Sequence, residues 1–223
     1  MICAIIFDAY GTLISTGTGS VDAAAEILRR LNSDLSPKDF YGRWKKIHKA
    51  LILDTMERGF VTEEEIFRRG LQQLYEEYGI ESDAGSDVGP MLCSLTGRKA
   101  FPDVVKGLVA LRGRYKVYIG SNTDTAPLLE NLRANGIETD GVYTSESLCC
   151  YKPDPKFYEL LLKKTGFTPK EAVFVGDSLS EDIVGPQKAG MKTVFLDRKG
   201  AGCPENIIPD RILSALPLSG ELI

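Results

Sequence analysis

The sequence predicts an α/β protein, a doubly wound and mostly parallel sheet with an α-helical module inserted into it, and three observations carry that expectation. Short apolar runs without polar alternation recur at Cys3 to Phe7, Val117 to Ile119, Val142-Tyr143, Ala172 to Val175 and Thr193 to Leu196. Such runs are strands buried on both faces. Segments of helical period lie between them, and three end in a glycine followed at once by an apolar residue, Gly136-Ile137, Gly166-Phe167 and Gly190-Met191. That is the left-handed helix cap with its apolar contact. Strands alternating with helical crossovers place helices on both faces of a parallel sheet.

The third observation is a change of texture after the first strand, where β-rich runs stop and three amphipathic helices follow. Val21, Ala24, Ala25, Leu28 and Leu31 form the apolar face of the first. The second opens with Ser36 as N-cap and Pro37 at the first helical position, and aligns Phe40, Trp44, Ile47 and Leu51. A capping box of Thr62 and Glu65 starts the third, which carries Phe67, Leu71, Leu74 and Tyr78 and closes at Gly79-Ile80. Residues 1–14 and 98–223 therefore read as the α/β core, and 15–97 as the inserted helical module.

At 223 residues, with 43 % hydrophobic and 26 % charged side chains, the chain can bury a core without a disulfide or metal staple. The formal charge is −4 and neither sign forms a long block, which argues against a nucleic-acid partner. No apolar run is long enough to span a membrane, and MICAIIF is too short for a signal-peptide core before Asp8 interrupts it. Five cysteines without paired spacing read as free thiols, and these features together point to the cytoplasm.

Ligands of open α/β sheets sit beyond the carboxyl ends of the strands, so the strand-ending residues are the candidates for chemistry. They are Asp8 after the first strand, Ser121 and Asn122 after the second, and Asp177 after the Ala172 strand, with Asp182 in the first turn of the next helix. Lys152 stands in the turn YKPDP, where Asp154 and Pro155 are explained as N-cap and first helical residue and the lysine is not. Singly, these residues also read as turn and capping chemistry. Convergence of three carboxylates in one crevice calls for a hard dication, Mg²⁺ being the natural choice, and for a lysine that keeps Asp8 ionised.

The ordered set FDAYGTL, GSN, YKPDP and VGDSLSED resembles the haloacid dehalogenase (HAD) superfamily of hydrolases. The resemblance implies a HAD-like, Rossmann-like core with residues 15–97 as a C1-type cap that closes over the site. It further implies that Asp8 attacks substrate to form a covalent aspartyl intermediate, that Ser121, with Asn122 beside it in the same catalytic motif, hydrogen-bonds the transferring group, and that Lys152 neutralises charge. Asp8, the Tyr10 carbonyl, Asp177 and Asp182 would hold Mg²⁺.

Tyr10 departs from the phosphatases of that family, which carry a second aspartate at this position. A phenol with an ordinary pKa near 10 is a poor base at neutral pH. DAYGTL is similar instead to the 2-haloacid dehalogenases, whose halide leaves without a proton and which work without metal. Tyr158 falls where those enzymes have a tyrosine and also suits a core; Arg43 could grip a substrate carboxylate or be a surface arginine. Asp177 and Asp182 favour the phosphatase, because without a dication their charges oppose an anionic substrate. The expectation is a Mg²⁺-dependent phosphatase-like hydrolase of a small, anionic phosphorylated metabolite, acting as monomer or homodimer. The alternatives are a metal-independent 2-haloacid dehalogenase, a phosphonate hydrolase using Lys45, Lys46 or Lys49, and a catalytically weak phosphate-binding module. His48, amid Trp44, Lys46 and Lys49, reads as surface-exposed.

Overall fold

The computed structural model describes residues 1–217 and 219–222. Six parallel strands, β1 (Ala4–Phe7), β2 (Lys116–Ser121), β3 (Gly141–Thr144), β4 (Ala172–Gly176), β5 (Lys192–Leu196) and β6 (Arg211–Leu213), lie in the order β3-β2-β1-β4-β5-β6. The first five correspond to the apolar runs of the sequence. The three-residue edge strand β6 is additional, and its exposed Arg211 and Ile212 explain why it leaves no apolar run.

Alternation across the pleat divides the core into two layers. Ile5 and Phe7 of β1, with Val117, Ile119, Val173 and Val175, face Val104, Leu108 and Leu111 of one helix and Leu128 and Leu132 of another. Ala4, Ile6 and Phe174 face the opposite way, against Phe157, Tyr158 and Leu161. A strand whose successive residues meet different helical layers must be apolar throughout, and β1 is fully buried.

Between β1 and β2 run α1 (Gly19–Arg30), α2 (Pro37–Arg58), α3 (Glu63–Tyr78), the short α4 (Ala84–Asp87) and α5 (Gly89–Cys93), and then α6 (Val104–Arg112). Helices α1 to α5 have an apolar cluster of their own, with Ile27, Phe40, Trp44, Phe67, Leu71 and Met91 at its centre. Trp44 packs over Gly70 and donates its indole N–H to the Phe67 carbonyl at 3.2 Å. Tyr75 is buried where the sequence pattern favours Tyr78; Tyr78, in the last turn of α3, is 42 % exposed and only laps Phe40. The capping box is half made: the Thr62 hydroxyl accepts from the Glu65 N–H, but the Glu65 carboxylate turns to Arg68 and Arg69.

The remaining crossovers are α7 (Thr125–Ala134), the short α8 (Ser145–Leu148), α9 (Pro155–Thr165) and, after β4, a π-helical turn (Leu179–Val184) running into α10 (Gly185–Lys188). Among the described residues no helix is long and apolar enough to cross a membrane, and the five cysteines are free.

Candidate active site

The strand order reverses direction at β1, so the crevice between the carboxyl ends of β1 and β4 is where the fold exposes backbone and side chains to a ligand. Asp8 follows β1 and its N–H is held by the Val175 carbonyl of β4 at 2.9 Å. Ser121, the last residue of β2, donates its hydroxyl to Asp8 Oδ1 at 3.0 Å. Lys152, fully buried, donates from Nζ to the same Oδ1 at 2.8 Å and to Asp182 Oδ1 at 2.7 Å. Burial works against its charge, but Asp182 and Asp8 outweigh that and hold its pKa above the ordinary lysine value.

Asp8, Asp177 and Asp182 each offer a carboxylate oxygen, all within 4.8 Å of one another. Burial and then the Asp8 charge raise the pKa of Asp177. Two glycines make this packing possible. A Cβ on Gly11, whose φ is +96°, would run into the Asp177 carboxylate, and one on Gly176 would run into Asp182. The donor set is all oxygen and largely buried, and its limit of 4.8 Å compares with the roughly 4.2 Å between opposite ligands of Mg²⁺ bound at about 2.1 Å. These residues fit a hard dication that keeps part of its water.

Asn122 supports the site from behind: its side chain accepts from the Lys152 N–H at 2.7 Å and donates to the Lys152 carbonyl at 2.9 Å. Tyr158 also acts from below, buried between Phe157 and Phe174 with its hydroxyl donating to the Glu181 carbonyl. Arg43 pairs with Glu77 on the surface at 2.6 Å, away from the crevice. Tyr10 points toward the helices, its hydroxyl accepting from Asn131 at 2.9 Å and its ring 4.9 Å from the Arg98 guanidinium. Burial raises its pKa further, so the phenol stays protonated.

A cavity of about 240 Å³ opens between Tyr10 and Asn122 on the core side and Trp44, His48, Glu63 and Phe67 on α2 and α3. Here the structure corrects the sequence expectation for His48. Its ring stacks on Phe67 with centroids 4.5 Å apart, only 14 % of its side chain is exposed, and Nε2 is buried without a partner. Burial, then Lys45 and Lys49, lower its pKa to about 4, so the imidazole is neutral. Glu63 is 9 % exposed, and burial pushes its carboxyl up to about 7. Sequence reasoning passes over both because His48 stands among lysines and Glu63 in a run of three glutamates. Lys45 and Lys49 sit at the rim, whereas Lys46 is exposed elsewhere.

Two contacts fasten α3 to the core beside the crevice. The Asp124 carboxylate accepts from the Glu63 and Glu64 N–H groups at 2.9 Å each, capping α3 from outside its own segment. Tyr151, next to Lys152, donates to the Val61 carbonyl at 3.0 Å and stacks on Phe60.

Residues 2–190 match the model of the haloacid dehalogenase-like hydrolases, and the chain belongs to that family of enzymes. It is 28 % identical to the glyceraldehyde 3-phosphate phosphatase of Methanopyrus kandleri, over 89 % of this chain and 85 % of that protein. It is 26 % identical to (S)-2-haloacid dehalogenase 4A of Burkholderia cepacia (88 % and 84 %) and to pyrimidine 5′-nucleotidase YjjG of Escherichia coli (95 % and 93 %). Among solved structures, the L-2-haloacid dehalogenase of Xanthobacter autotrophicus superposes with a TM-score of 0.77 at 21 % identity, over 97 % of this chain and 96 % of that one. The magnesium-bound HAD-hydrolase YfnB of Bacillus subtilis does so with 0.77 at 21 %, over 96 % and 95 %. At such identities the structural likeness shows the doubly wound HAD fold.

Proposed function

We propose that this hydrolase is a Mg²⁺-dependent phosphatase-like enzyme acting on a small anionic phosphate compound, with residues 15–97 serving as a cap over a core of 1–14 and 98–223. The observation that supports this most is the carboxylate trio of Asp8, Asp177 and Asp182. Without a cation, two further carboxylates beside the nucleophile would repel any anion entering the crevice. Bound between them and the Tyr10 carbonyl, Mg²⁺ would neutralise phosphate oxygens.

Asp8 attacks phosphorus through the oxygen not held by Ser121 and Lys152, forming an aspartyl phosphate as the leaving oxygen departs with its bonding pair. The Ser121 hydroxyl and the Lys152 ammonium fix the orientation of Asp8 and face the added negative charge. Asn122 and Asp182 keep that ammonium in place. Water then displaces Asp8 from phosphorus and phosphate leaves. Because Tyr10 remains protonated and its hydroxyl is engaged by Asn131, it is a poor base for that water. The reading therefore favours good leaving groups, aryl or acyl phosphates, over alkyl esters.

Tyr10 is the specific observation that favours a second reading, 2-haloacid dehalogenation, in which no proton is needed by the leaving group. An aryl phosphate and a 2-haloacid assayed with Mg²⁺ and with EDTA separate the two. Mg²⁺-dependent phosphate release is expected, and halide release that survives EDTA overturns the phosphatase reading.

A further inference from the structure

Among the described residues two buried side-chain polar atoms lack any hydrogen-bond partner in the protein, His48 Nε2 and Thr123 Oγ1. His48 lines the cap-core cavity, and Thr123, fully buried, lies behind two residues that line it, beside the Glu63 carboxyl and the Tyr10 hydroxyl. Leaving such a group unpaired costs about 1–3 kcal/mol, and natural structures keep few of them. The other buried side-chain polar atoms of the described residues are paired, those of Asn131 and Lys152 among them. The exceptions gather at one place, bordered by Tyr10, two residues after Asp8, and by Asn122, next to Ser121.

Glu63 adds a geometric clue. Its Oε1 lies 3.7 Å from His48 Nε2, too far for a hydrogen bond between them. A single oxygen can nevertheless stand within hydrogen-bond distance of both. A hydroxyl suits the pair, since it donates and accepts and so answers a carboxyl and a neutral imidazole of either tautomer. Around it the walls are apolar and aromatic, with Trp44, Phe67, Ile52 and Leu95.

Volume limits the ligand. A cavity of about 150 Å³ holds a benzene-sized molecule, so 240 Å³ takes roughly nine or ten non-hydrogen atoms. A ring or short chain fills it.

We infer that His48 and Glu63 form a specificity subsite that selects a small leaving group carrying a hydroxyl, the phosphate lying over Asp8 and the hydroxyl bridging the two cap side chains. The inference rests on the phosphatase reading and sharpens its substrate class. It makes both cap residues binding residues, Glu63 being fastened in place by the Asp124 grip on the N-terminus of α3. A site built to pair a hydroxyl discriminates against the analogue that lacks it, because the polar groups are then buried unpaired.

The test compares the 2-, 3- and 4-hydroxyphenyl phosphates with phenyl phosphate in the Mg²⁺-loaded enzyme, and reads the ratio of kcat/KM. Leaving-group acidity is close across the set. At least one hydroxylated isomer is expected to exceed phenyl phosphate about tenfold or more, a hydrogen bond's worth of discrimination. Glu63→Met and, independently, His48→Phe should bring that ratio toward one; partial unfolding lowers both rates and leaves the ratio alone. A ratio near one in the unaltered enzyme, or one that both variants preserve, overturns the inference while phenyl phosphate turnover keeps the phosphatase reading. Turnover of none of the four overturns that reading, and the inference with it.

Discussion

The core crevice and the cap cavity share a border at Tyr10 and Asn122, yet they are built on opposite principles. In the crevice the groups around Asp8 are fixed by one another: Lys152 lies between Asp8 and Asp182, Ser121 donates to Asp8, and Asn122 holds the Lys152 backbone from both sides. In the cavity polar groups wait, with His48 Nε2 unpartnered and the Glu63 carboxyl buried beside it. A preorganised reaction centre must not reorganise as charge develops, so its groups are fixed by one another. A recognition surface obtains discrimination from groups that only the right ligand completes.

The contrast breaks most sharply at Asp8. Asp8→Asn removes the proposed nucleophile while keeping the shape, and turnover should fall roughly 10⁴-fold or more with the circular dichroism spectrum unchanged. Lys152→Met tests whether the crevice is truly interdependent. It leaves Asp8 and Asp182 buried with no ammonium between them, and denaturant unfolding should show a loss of about 3–5 kcal/mol.

Glu63 should respond in the opposite sense. Its folded pKa, about 7, lies above the unfolded value near 4.3, so the stability it contributes is complete below about pH 4.3 and is lost as pH rises through 7. Glu63→Gln removes that loss. Without substrate, the variant should gain on the unaltered protein by about 3 kcal/mol between pH 4 and 8, measured by urea unfolding. His48, with a lowered pKa, biases stability the other way in both proteins and cancels from the difference. A smaller gain marks the border itself. Tyr10→Asp restores an acid-base group beside the crevice, and alkyl phosphate turnover should rise, up to about 10²-fold, toward that of aryl phosphates.

The same contrast explains what the sequence could convey. Strand ends at Asp8, Ser121 and Asp177 were legible because continuous apolar runs locate parallel strands, and parallel strands align their carboxyl ends. Lys152 stood out because capping chemistry accounted for Asp154 and Pro155 but not for it. The cap cavity was hidden because helical period reports only which face packs against another apolar face. His48 sits among lysines on α2, and Glu63 opens α3 in a run of three glutamates. Glu63 is held from the core through the Asp124 and Tyr151 contacts, which join positions about 60 and 90 residues apart, and His48 is covered by Phe67 of α3. Strand β6 was hidden for a simpler reason, three residues at an exposed edge.

The claim beneath all of this is that the carboxylate trio receives a dication beside the nucleophile. Calorimetric titration of the protein with Mg²⁺, set beside Asp177→Asn, tests it directly. One Mg²⁺ per chain is expected in the unaltered protein, with affinity falling at least about tenfold in the variant and Mg²⁺-dependent phosphate release falling with it. Equal binding by both proteins, or none in either at millimolar Mg²⁺ while turnover persists in EDTA, would contradict it.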